Sequence, residues 1–177
     1  MNCSNISKCA NNLIKTYETN NPFKVAEYLG IDLRYKKLQN LKGFYTYILR
    51  NRYIVINDNI DEISARIVCA HEIGHDRFHR GLGINMFQDK LCVSLKTSTP
   101  EIQANYFAAE FLILDNNFFE LAAEKYTYDH IASVLGVHTE LAMIKAQILN
   151  IRGYKLNVPY VPQANFLGKI WRKPPIF

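Results

Sequence analysis

Between Ile31 and Ile56 the chain abandons one hydrophobic period for another, and that change limits the possible folds more than anything else in the sequence. Ile31–Tyr35, Phe44–Leu49 and Tyr53–Ile56 are short runs rich in aromatic and β-branched residues, the composition of strands. Polar Arg50-Asn51-Arg52 between the last two suggests a hairpin turn. On either side of this stretch the apolar residues return at helical spacing. Three strands are not stable alone in water, so they must pack on helices. The expected fold class is α+β, with a small three-stranded, mostly antiparallel sheet packed on a long helix and a mainly helical C-terminal half.

The helices can be placed from their ends. Ile6, Leu13, Ile14 and Tyr17 mark an amphipathic helix over 5–18. Asn21-Pro22 opens a second short one, which Gly30 stops. Ile60, Ile63, Ile67, Ala70, Gly74 and Phe78 trace one face of a helix from about 60 to 79, and Gly81 and Gly83 break it. Residues 82–98 read as irregular. Thr99-Pro100-Glu101 supplies a cap, a proline at the first helical position and an early carboxylate; this helix should run to about Leu114. Shorter helices are expected at 116–125, 128–135 and 139–150. Residues 1–153 read as one domain. Residues 154–177, with Pro159, Pro162, Pro174, Pro175 and Trp171, read as an extended basic and aromatic tail.

Composition narrows the class further. At 177 residues, 49% hydrophobic and 21% charged, the chain can bury a real core, and disordered or low-complexity classes are excluded. No apolar run reaches the ~18 residues of a membrane helix, and the start lacks the pattern of a secretory signal. Cys3, Cys9, Cys69 and Cys92 are scattered, with no Cys-x-x-Cys, so reduced thiols and a cytoplasmic setting are expected. Residues 1–124 balance acids and bases. The whole net charge of +5 therefore falls after them, where no acid follows Glu140. Such a tail is a solvated surface or a surface for an acidic partner or nucleic acid.

The chemistry is concentrated in His71-Glu72-Ile73-Gly74-His75. Histidines four apart on a helix lie one turn above each other, so both imidazoles can reach one ion. Glu72, about 100° round from His71, can reach a water at that ion without being a ligand. This is the His-Glu-x-x-His pattern of zinc peptidases. A catalytic zinc takes three protein ligands and keeps one position open. His79 continues the row but stands roughly 12 Å of helix rise from His71, too far to share the ion, so it reads as a cleft residue, a support for a ligand, or polar surface. Glu101 is the better third ligand. It opens a helix whose Ala104, Asn105 and Ala108 would allow close approach to Gly74, and Asn105 could bond the other nitrogen of a ligand histidine. Glu110 is the competing carboxylate, about 180° round the same helix.

Four segments together resemble the ImmA/IrrE type of zinc metallopeptidase: Asn21-Pro22 with Ala26–Ile31, the strand Tyr53–Asn57, Ala70–His75 with His79, and Glu101 followed by Ala104-Asn105 and Phe107-Ala108-Ala109. The resemblance spans about 25–150. It implies zinc ligands at His71, His75 and Glu101 and a general base at Glu72. It also implies action on helix-turn-helix repressors of prophages and other mobile elements. The family commonly has Met-Pro where this chain has Leu114-Asp115, a departure at a helix end.

On this reading the chain is an endopeptidase with one Zn²⁺ that inactivates a repressor by site-specific cleavage. A donor to the developing oxyanion is also needed, with His79, Tyr45 and Tyr47 as candidates. An extended substrate would add to a free sheet edge, and Tyr53–Ile56 is the expected strand. Two other classes stand beside this one. Residues 128–150 resemble a helix-turn-helix hairpin turning on Gly136, which would suit a DNA-binding regulator, although Lys145 and Arg152 are a thin set for reading a groove. A metal-dependent sensor or anti-repressor that holds a repressor without cutting it would use the same ligands.

Overall fold

The computed structural model describes residues 3–80 and 99–159. Gly81 and Gly83, the 82–98 stretch with Cys92, and most of the 154–177 tail lie outside the described residues. Helices α1 (Cys3–Tyr17) and α2 (Pro22–Tyr28) precede strands β1 (Asp32–Lys36), β2 (Gly43–Ile48) and β3 (Asn51–Asn57). Among the described residues the remaining elements are helices: α3 (Glu62–Phe78), α4 (Thr99–Leu112), α5 (Asp115–Ala123), α6 (Tyr128–Leu135) and α7 (Thr139–Ile151). The architecture is α+β with a small sheet. Local chemistry fixes the boundaries. Asn21 Oδ1 accepts from the Phe23 and Lys24 amides ahead of α2, and Asp61 Oδ1 accepts from Ser64 at 2.8 Å to start α3. Gly136, at φ 61°, closes α6 in the left-handed region.

Among the described residues the strand order is β1-β3-β2, so β3, the last of the three in sequence, lies between the other two. β2 pairs antiparallel with β3, from Gly43 opposite Ile56 to Ile48 opposite Asn51. β1 runs parallel to β3, with Asp32 opposite Tyr53. The sheet is thus mixed, where mostly antiparallel pairing was expected. The cause is the connection 37–42, which carries the chain over the end of β3. Asn57 holds that connection: its buried Nδ2 donates to Leu41 O at 2.8 Å and to Leu38 O, and its amide donates to Lys42 O. The hairpin turns at Leu49-Arg50, one residue before the expected position, and both have positive φ (49° and 66°). That is the twist a two-residue hairpin turn requires, here without glycine.

Helix α3 is the axis of the core. The expectation of a single apolar face is too narrow: Ser64 and Ala65, then every residue from Ile67 to Asp76, are buried, while Ile63 is 43% exposed. The sheet covers one side and α4 the other. Close approach on both sides depends on glycine. A Cβ at Gly74 would lie 3.1 Å from Ala104 Cα and 3.2 Å from Phe107 Cβ; one at Gly43 would lie 2.5 Å from Val68 Cγ1. The small residues at 74, 104 and 108 therefore do what their spacing suggests, and α4 lies directly on the motif helix.

Helix α7 overturns one expectation. Leu141 to Ala146, with Ile148 and Leu149, are buried, and Lys145 is 0% exposed. The second helix of the hairpin is a core helix packed on α4, so it is not presented to a DNA groove. Lys145 instead bonds Glu110 at 2.9 Å and pairs with Asp115; Arg152 pairs with both acids as well. Among the described residues no helix is long and apolar enough to cross a membrane.

Candidate metal centre

Two helices make the centre. On α3, His71 and His75 stack one turn apart, with their Nε2 atoms 3.0 Å apart. The first turn of α4 brings Glu101 across the Gly74 contact. Its Oε2 lies 3.3 Å from His71 Nε2 and its Oε1 3.5 Å from His75 Nε2. One ligand atom from each of the three side chains lies within 4.8 Å of the others. Both imidazoles are buried and Glu101 is partly exposed, so the cluster is anchored in the core but open on one side.

The donor chemistry fits a divalent cation. Asn105 Oδ1 lies 2.8 Å from His71 Nδ1 and can only accept there, so that nitrogen carries the proton and the lone pair sits on Nε2. This lone pair points at a second imidazole nitrogen and a carboxylate, an arrangement that a cation completes. Two nitrogens and one oxygen are a zinc-type donor set. Glu72, next to His71, is buried at 4% exposure. Its charge, after burial itself, helps to push the neighbouring Cys69 thiol well above the usual cysteine range.

The remaining expected site residues are placed differently. His79 is buried behind His75: its Nδ1 lies 3.1 Å from His75 Nδ1 and its Nε2 lies 2.8 Å from Gln103 Oε1. Burial holds its imidazole below the ordinary histidine range. With both nitrogens used inside the protein, His79 braces a motif histidine. Tyr45 is likewise committed, because its hydroxyl donates to Asp76 Oδ1 at 2.9 Å. Burial, then the Asp76 charge, raise its pKa. Buried Asp76 also takes Arg52 at 3.4 Å and Arg80 at 3.3 Å, tying the end of α3 to the sheet. Tyr47 packs half-buried against the core. Glu110 lies away from the imidazoles, within the Lys145 and Arg152 ion pairs and bonded by Ser7 Oγ at 3.1 Å. Gln103 had no part in the sequence expectations. It stands two residues from Glu101, on the far side of an ideal helix turn, where spacing does not mark it.

With this geometry in place, comparison with known proteins is decisive for the family. Residues 26–147 match the model of the IrrE N-terminal-like domain, a peptidase family. The chain belongs to the IrrE N-terminal-like peptidase family. The match nearly coincides with the 25–150 span of the motif resemblance, and the IrrE-type peptidases are metal-dependent in general. One relative is the "Uncharacterized immunity region protein 2" of Bacillus phage phi105, 36% identical over 141 residues, which cover 79% of this chain and 88% of that one.

Proposed function

We propose that this IrrE-type chain is a zinc-dependent endopeptidase that inactivates a helix-turn-helix repressor of a phage or mobile element by cutting it at one site. The observation that carries the reading is the convergence of His71, His75 and Glu101 across two helices pressed together at Gly74. These three side chains would hold the zinc. When bound, zinc supplies a Lewis acid for a peptide carbonyl and an acidified water. Glu72, held beside the cluster but assigned no ligand role, takes the proton from the attacking water and passes it to the leaving amine. The immunity-region name of the phage relative supports a repressor as the target.

An extended substrate would need a strand edge near the centre. The strand first expected, Tyr53–Ile56, lies in β3 and is paired on both sides, which removes it. β2 is an outer strand among the described residues, and it runs beside α3 from the Val68 contact at Gly43 to the Asp76 bond at Tyr45. That path brackets His71 and His75.

Incubation with the repressor encoded beside the gene, with and without a chelator, tests the proposal. Discrete fragments that chelation abolishes are expected; an intact repressor under both conditions would end the peptidase reading. The relative's name speaks of immunity and not of proteolysis, so a chain that holds the repressor without cutting it is the second reading. Capture of intact repressor, with relief of repression, would favour it.

A further inference from the structure

We propose that α4 sets the tautomers of both motif histidines, and that Gln103 does so for His75 at one remove, through His79. The inference rests on the metal-site reading above and adds a positioning residue to it. A neutral imidazole has one N–H and one lone pair, while an amide oxygen can only accept. The relay is therefore read from its far end. Gln103 Oε1 lies 2.8 Å from His79 Nε2, so that nitrogen carries the proton. His79 then offers a lone pair at Nδ1, 3.1 Å from His75 Nδ1, which must donate. The remaining lone pair of His75 is on Nε2, the atom 3.0 Å from His71 Nε2 and 3.5 Å from Glu101 Oε1.

His71 reaches the same state in one step, through Asn105. One helix thus supplies a carboxylate and two amide acceptors, and together they leave both Nε2 lone pairs facing the carboxylate. Without the Gln103 acceptor, His79 can carry its proton on Nδ1 and donate to His75. His75 would then hold its own proton on Nε2, where a cation must bind. The side chain of Gln103 is only partly buried, so replacing it perturbs the relay more than the core.

The test uses the full chain, metal-free, labelled with ¹⁵N-histidine. Long-range ¹H–¹⁵N correlation spectra at pH 8 report which nitrogen of each ring is protonated. The deciding signal is on His79, where Nε2–H is expected; Nδ1–H on His79 would overturn the proposal. Zinc affinity, read by competition with a chromophoric chelator, supplies the second arm. Gln103→Met should bind zinc ~10–100-fold more weakly, the usual cost of removing a group that orients a ligand. Gln103→Glu keeps an acceptor and should bind near the native level. Equal affinity of Gln103→Met and the native chain would also overturn the proposal. The expected tautomers in a native chain that takes up no zinc would bear out the hydrogen-bond assignment while overturning the metallopeptidase reading, so the two failures are distinct.

Discussion

Helix α4 carries two functional-looking carboxylates, and their surroundings are opposites. Glu101 faces two imidazoles whose other nitrogens are tied back to Asn105 and His79. Glu110, nine residues on, is 2% exposed among Lys145, Arg152 and Ser7. The charge at Glu110 is balanced by cations of the chain itself. The one at Glu101 faces two imidazole nitrogens. A buried carboxylate with its own lysine is a structural element, because an unpaired charge in the core is expensive. A carboxylate that converges with two imidazole nitrogens is a candidate for binding a cation. Residue type does not separate the two; the sign of the neighbours does.

The sharpest test of that contrast concerns the base beside the binding pole. Glu72→Gln should leave zinc content and repressor capture intact while cleavage falls ~10²–10⁴-fold, the usual contribution of a general base. Undiminished cleavage by this variant would remove proteolysis from the account. Next come the two carboxylates. Glu101→Gln should weaken zinc binding by more than ~100-fold, beyond the cost of losing a mere supporting group. Glu110→Gln should bind zinc normally but lose about 3 kcal/mol of stability in urea unfolding, because Lys145 stays buried with one partner fewer. The opposite pattern would exchange the roles of the two ends.

A smaller effect is expected where α4 meets α3. Gly74→Ala pushes a methyl group at Ala104 and Phe107 and should cost about 1–3 kcal/mol. Zinc affinity should fall with it, since Glu101 and Asn105 ride on the displaced helix. A variant that is destabilised yet binds zinc natively would show the two helices to be less tightly coupled than this. The weakest expected signal lies away from both poles, at His138, whose Nε2 is 3.1 Å from Ser64 Oγ. Burial, then Lys42, lowers its pKa from 6.5, against Asp61 and Glu140. The unfolded chain therefore binds a proton that the folded chain resists, and stability declines as pH falls below about 6.5. His138→Gln should flatten that decline in denaturation midpoints taken between pH 5 and 7.5. An unchanged slope would mean that His138 titrates alike in both states.

Much of this was legible in the sequence because the relevant geometry is local. A spacing of four fixes His71 over His75, a cap and proline fix the start of α4, and small residues fix its distance from Gly74. What was not legible depends on residues far apart in the chain. Lys145 looks like a surface cation in sequence; only the meeting of α7 with α4 and α5 shows it to be the partner of Glu110 and Asp115. The central place of β3 comes from a loop crossing that no period encodes. His79 looked like cleft chemistry because its row points at the motif, yet Gln103, off any row, decides what its nitrogens do.

The crossing over β3 also imposes an order in time. β1 leaves synthesis first, but the strand it pairs with comes after β2, so its backbone groups must wait for more than a dozen residues before their ladder can form. β2 and β3, joined by a two-residue turn, can pair as soon as they emerge. The centre waits longer still, because both histidines are made well before Glu101, Gln103 and Asn105. For that interval a nascent chain has its motif helix but not the residues of α4 that complete the candidate metal centre.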